Sequence, residues 1–135
     1  MPLQYSVTLR NNQLAQVEAT VGQSPILKMI QGASPASCAD AETGTVLATL
    51  TLPADWMSAP SNGSTSKLGT WQDLAADSSG TLGYFRIYDS TGTTCHCQGN
   101  ITITGGGGTM TVDNTSVQIG QTIVVTTFSI SCGNA

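Results

Sequence analysis

The feature that most limits what this chain can fold into is a succession of short period-two segments, each closed by a turn signal. The clearest is Gly83 to Ser90, where Phe85 and Ile87 share one face and Tyr84, Arg86 and Tyr88 share the other. Asp89-Ser90-Thr91-Gly92 reads as a hairpin turn, which makes Thr93 to Thr104 the returning strand. Regular alternation there places Cys95, Cys97, Ile101 and Ile103 on one face, with His96, Gln98, Asn100 and Thr102 on the other. By the same rule Phe85 and Ile87 should be buried, and Arg86 should reach solvent or an interface.

The rest of the chain after residue 24 follows the same pattern. Pro25 to Gln31 is a short apolar run bounded by Pro and Gly, as in a buried strand. Ala33 to Gly44 is a loop of small residues. Thr45 to Leu52 alternates, with Val46, Ala48, Leu50 and Leu52 on one side and Thr45, Leu47, Thr49 and Thr51 on the other. Ser58 to Ser66 has no periodicity and reads as an exposed loop. Lys67 to Ala75, around Trp71, is a further strand candidate. Gly105 to Gly108 is a hairpin tip from which Thr109 to Val112 returns, and Asp113-Asn114-Thr115-Ser116 turns again. Gln121 to Cys132 closes the chain, with Val124, Phe128, Ile130 and Cys132 sharing a face.

Only the beginning reads otherwise. Leu3, Val7, Leu14, Val17 and Val21 recur at helical spacing, with Pro2 suited to a first turn and Gly22 followed by Ser24-Pro25 as a stop. A strand over Tyr5 to Leu9 is the competing reading. The fold expectation is mainly β: an antiparallel β-sandwich, jelly-roll or Ig-like, of about seven or eight short strands with one N-terminal α-helix. Residues 1–135 are expected to form a single domain, with the helix over 1–22 and the sandwich over 25–135.

Charge is scarce. Asp, Glu, Lys and Arg make up 9% of residues, against roughly 25% in an ordinary soluble domain. A freely diffusing protein uses charge for solubility and against edge-to-edge pairing, whereas one packed against neighbours needs less. The competing view is that a Thr/Ser/Gly-rich surface simply suits a β protein. The four cations, Arg10, Lys28, Lys67 and Arg86, form no cluster, and the net charge is −4. Nucleic acid and anionic membrane surfaces are therefore not expected partners. Met1-Pro2-Leu3-Gln4-Tyr5 shows no basic region before an apolar stretch, so synthesis and retention in a cytosol is the expectation. In that setting the glycosylation triplets at Asn62, Asn100 and Asn114 carry no meaning.

Candidates for chemistry are few. Cys95-His96-Cys97 is the most tempting, but alternation sends the two sulfurs and the imidazole to opposite faces, which a tetrahedral metal site does not allow. A cluster of Cys38, Cys95, Cys97 and Cys132 is conceivable. A disulfide is a stronger reading than a metal site, since Cys132 ends a strand and Cys38 sits in a loop, but buried inert thiols are the plain reading. Asp73 and Asp77 read as loop acids, and the tetraglycine lacks the Lys of a phosphate loop. No catalytic residue, cofactor or metal is assigned. Candidate contact residues are Leu3, Val7, Leu14 and Val17 of the amphipathic stripe, with Trp56, Met57 and Trp71. For all of them packing into the chain's own core is the competing reading.

The segments Leu27-Lys-Met-Ile-Gln-Gly to Trp56-Met57, Phe85 to Gly99 through Thr-Gly-Thr-Thr-Cys-His-Cys-Gln-Gly, and Met110-Thr-Val-Asp-Asn-Thr-Ser-Val-Gln-Ile-Gly-Gln to Gly133-Asn134-Ala135 carry a resemblance. The chain is similar to small virion structural proteins of tailed bacteriophages, over nearly its whole length and without a defined functional motif. The resemblance implies a non-enzymatic capsid decoration or cement protein. Such a protein is made in the host cytoplasm, associates with itself as a dimer or trimer, and braces the outer head surface by binding the major capsid protein. It transfers no functional residue. A tail or fibre component and a free carbohydrate-binding module are the alternatives; absence of a fibre-type repeat counts against the first.

Overall fold

The computed structural model describes residues 3–133. Their regular structure is α1 Val7–Val21, β1 Ile26–Gln31, β2 Val46–Thr51, β3 Ser64–Ser66, β4 Gln72–Asp73, β5 Gly80–Tyr88, β6 Cys95–Ile103, β7 Met110–Val112, β8 Ser116–Val117 and β9 Ile123–Ser131. The strands build one curled sheet in the order β2-β1-β5-β6-β7-β9-β3, with β4 added to β9 and β8 to β5. The protein is mainly β with one N-terminal helix.

The sheet is mixed, which corrects the antiparallel expectation. β7 does not return from β6 as a hairpin partner but pairs with it in parallel, Ile101 beside Met110 and Ile103 beside Val112. Parallel neighbours ordinarily need a crossover of a dozen or more residues. Residues 104–109 suffice here because glycine lets the chain double back. Gly105 and Gly107 have φ of 88° and 82°, in the left-handed region. A Cβ on Gly106 or Gly108 would come within 2.8 Å of the Thr102 side chain.

Bulges give the sheet its curl. β2 carries an extra residue at Leu47, β5 at Gly83, β6 at His96 and β9 at Thr126. Each bends its strand, strengthens the local twist and resets which face the next side chain takes. Leu47 is therefore buried beside Ala48 instead of facing out with Thr49. In β9 the core residues are Ile123, Val125 and Phe128, while Val124 is half-buried, so the predicted Val124–Phe128 face is corrected.

Both ends of the curl are covered. The free edge of β2 meets the end of β4 and the segment after it: Thr49 N–H donates to Asp73 Oδ2 at 3.1 Å, Thr49 Oγ1 to Asp77 Oδ2 at 2.8 Å, and Asp77 N–H to Leu47 O at 2.8 Å. Since β4 pairs with β9, this segment ties the two halves of the sheet together. At the other end β3 pairs with β9 and takes a bond from Ser58 N–H to Ser66 O on its outer side. β3 lies inside what the sequence presents as an exposed loop. Asn62 and Gly63, with φ of 51° and 72°, form the tight turn that leads into it.

Helix α1 starts at Val7 because Ser6 is its N-cap, accepting from Leu9 N–H at 3.1 Å. Pro2, expected in the first turn, lies outside the described residues. Gly22 ends the helix at φ 92°, where its N–H still reaches Glu18 O. Leu14 and Val21 are buried and Val17 packs against the core. Polar ties fix the same face. Trp56 Nε1 donates to Gly22 O at 3.0 Å, Met57 N–H to Glu18 Oε2 at 2.6 Å, and Gly63 N–H to Asn11 Oδ1 at 2.9 Å. The stripe is thus mostly internal, and Leu3 and Val7 are its exposed members, 65% and 43% accessible.

Candidate functional site

The most chemically furnished part of the molecule is the outer face of β1, β5 and β6, beneath the loop of residues 32–44. Alternation in β5 is regular here: Phe85 and Ile87 enter the core, while Tyr84, Arg86 and Tyr88 take the opposite side as the sequence predicts. What the sequence does not disclose is that the loop folds down over them. Arg86 is 2% exposed, which corrects the expectation that it reaches solvent or an interface.

The loop is held by donors from the sheet. Arg86 donates to Ser37 O at 3.1 Å and Gln98 Nε2 to Pro35 O at 2.8 Å. Tyr84 donates its hydroxyl hydrogen to Thr43 O at 2.6 Å and accepts from Thr43 N–H at 3.1 Å. Arg86 also donates to Gln98 Oε1 at 3.0 Å and to the Tyr88 hydroxyl at 3.4 Å. That hydroxyl donates in turn to Glu42 Oε2 at 2.8 Å, and Glu42 pairs with Lys28 at 3.5 Å. Lys28 Nζ lies 4.8 Å from the Tyr88 ring centroid. Among the described residues no carboxylate forms an ion pair with Arg86. Its charge is held by neutral oxygens and by the Tyr88–Glu42 relay.

Electrostatics follow from this geometry. Burial opposes the Arg86 charge, but the Tyr88 hydrogen bond and the nearby Cys95 thiol and Tyr88 and Tyr84 phenols outweigh it, and its pKa lies above the usual value. Tyr88 is raised, first by burial and then by the nearby Glu42 carboxylate, against the opposing pull of Arg86. The residues frame a cleft of about 560 Å³ that also includes Asp40, Thr93 and the two thiols Cys38 and Cys95.

The bulge at His96 overturns the alternation expected of Cys95-His96-Cys97. Cys95 stands opposite Tyr88 and borders the cleft under the loop, while Cys97 stands opposite Ile87 and packs against the core. His96 and Cys97 border a second cleft, of about 300 Å³, beneath Val17 and Val21 of α1. Cys132 is near neither Cys38 nor Cys95 in its bonding: its sulfur contacts Gln13 at 2.8 Å. No group of three or more His, Cys, Asp or Glu side chains among the described residues is arranged to hold a metal ion. Burial pushes the Cys97 thiol up to about 12, the reverse of what an activated nucleophile needs.

The predicted contact residues divide sharply. Trp56, Met57 and Trp71 are core residues, at 0, 4 and 1% exposure, so the chain offers none of the three to a partner. The two indoles lie 6.0 Å apart, Trp71 lies 5.4 Å from Phe128, and Phe128 meets Phe85 edge-on at 5.5 Å, a continuous aromatic line through the core. Leu14 and Val17 are used internally by α1. Leu3 and Val7 remain available.

Sequence reasoning missed the 32–44 loop as a structural layer. Its Ala, Ser and Gly content conceals it, and the one signal was the run Tyr84, Arg86, Tyr88, too large and apolar in its stems for a bare solvent face. Comparison with protein-family models, with curated proteins and with solved structures gives no match.

Proposed function

We propose that this protein is a non-enzymatic structural component of a bacteriophage virion, a capsid decoration or cement protein. It binds the outer head shell through the major capsid protein and associates with itself as a dimer or trimer. The reading rests on the resemblance of the sequence to small virion structural proteins. The observation that carries it furthest is the poverty of surface charge. Of the four cations, Arg86 is buried and Arg10, Lys28 and Lys67 are each half-buried. Large apolar side chains stand out instead: Leu3, Val7 and Leu9 at the start of the helix, and Leu74 and Ile119 in loops at the β4 and β8 turns. A surface of this kind is poorly protected as a free particle and well suited to lasting contact with another protein. It offers a polyanion no cluster of cations.

The sandwich-type architecture expected from the spacing of strands and turns belongs to the same proposal. A tail or fibre location is the second reading, favoured by the same charge-poor, β-rich surface. Imaging intact particles of a phage that encodes this chain separates the two. Density for it on the outer head lattice supports decoration; density confined to the tail transfers the role there, and absence from the particle overturns both.

A further inference from the structure

Two of the four thiols face each other. Cys95 Sγ lies 2.7 Å from Cys38 Sγ, across 57 positions of sequence. A disulfide bond is about 2.05 Å long, so joining them takes a sulfur displacement of less than about 1 Å. Both are present as free thiols. The approach is held by its surroundings: Ser37, next to Cys38, is bonded to Arg86, and Pro35 is bonded to Gln98, both on the sheet that carries Cys95. The other two thiols are directed elsewhere, Cys97 towards the core through the His96 bulge and Cys132 onto Gln13.

We propose that Cys38 and Cys95 are a disulfide-forming pair that locks the 32–44 loop onto the sheet whenever the protein meets a thiol oxidant, such as a low-molecular-weight disulfide. One thiol loses its proton and attacks a sulfur of the oxidant. A small thiolate leaves and takes up a proton, and the resulting mixed disulfide is attacked by the second deprotonated cysteine, releasing a second small thiol. Two cysteine thiols are oxidised and one small disulfide is reduced to two thiols. In a compartment poised by reduced glutathione the pair stays open, and outside it closes. Closure fastens the cover that buries Arg86 and shortens the unfolded chain by a long loop. The pairing stands on the chain's own geometry, independently of the virion reading.

The test uses the full-length protein, reduced and then equilibrated with oxidised glutathione. Cleavage before Asp40, Asp89 and Asp113 separates Cys38, the Cys95/Cys97 peptide and Cys132. Under non-reducing conditions the first two peptides should be joined, with fragmentation placing the link on Cys95. Two thiols should disappear, and Tm should rise by roughly 5–15 °C, reversibly on adding dithiothreitol. Cys38→Ser and Cys95→Ser should each abolish the shift, and Cys132→Ser should keep it. A dominant link through Cys97 or Cys132, or four thiols still alkylatable after equilibration, overturns the proposal. Peptide mapping of the wild-type chain decides it even where a serine variant fails to fold.

Discussion

Single side chains carry more than their share of this structure. Phe85 packs edge-on against Phe128 and sits beneath the sheet with almost no exposure. Phe85→Ala should cost about 3–5 kcal/mol in a urea denaturation series, since little around it can collapse into the space. A loss below about 1 kcal/mol would mean the face assignment of β5 is wrong. Arg86→Met tests the opposite face. It removes the charge but leaves Ser37 O, Gln98 and the Tyr88 hydroxyl without their donor, so the loop should loosen; hydrogen exchange over residues 33–43 should rise while the core amides stay protected. Cys97 sets a pH dependence. Its folded pKa is raised from 9.0 to about 12 by burial, so its contribution is complete below the unfolded value and is lost as pH climbs through that window. Cys97 alone should lower stability by up to about 1.4 kcal/mol per pH unit above pH 9. Cys95, also raised to about 12, acts in the same window, so Cys97→Ala should reduce the slope and leave a remainder.

Elements were legible where a single period persisted. The β5 strand, its turn at Asp89 and the returning β6 strand follow from alternation and from an Asp side chain that accepts from Thr91, Thr93 and Thr94. The helix was legible too, though its true start at Ser6 was hidden behind Leu3 and Pro2. What alternation cannot reveal is an inserted residue. Leu47, His96 and Thr126 each reset the face taken by the residues after them, and so Cys95 parted from Cys97 and Val124 from Phe128. Nor does period two distinguish a strand that returns from one that doubles back in parallel; the tetraglycine that permits this reads as an ordinary hairpin tip. In the candidate site the sheet residues were legible and their cover was not, because a loop of small residues has no periodicity to read. The helix also answers a structural question. With Leu14 and Val21 buried, and Trp56, Met57 and Gly63 all bonded to it, removing residues 1–22 should unfold the whole domain in circular dichroism and thermal melts, rather than free an intact sheet.

At the scale of the whole molecule, the sheet leaves little of its backbone for strand addition. Asp73 and Asp77 cap the β2 edge, and the 57–58 segment covers β3. Association in the proposed assembly therefore falls to side-chain surfaces, with Leu3 and Val7 the predicted contact residues that remain exposed. Leu3→Asp together with Val7→Asp should leave the melting temperature within about 3 °C of wild type, since both sites are exposed, while weakening any self-association or shell binding. The most direct measurement is co-sedimentation of the purified wild-type protein with empty head shells of a phage that encodes it. The proposed role predicts saturable, stoichiometric binding that the double aspartate variant reduces. A protein that stays monomeric in sedimentation velocity and remains in the supernatant at every shell concentration would contradict it.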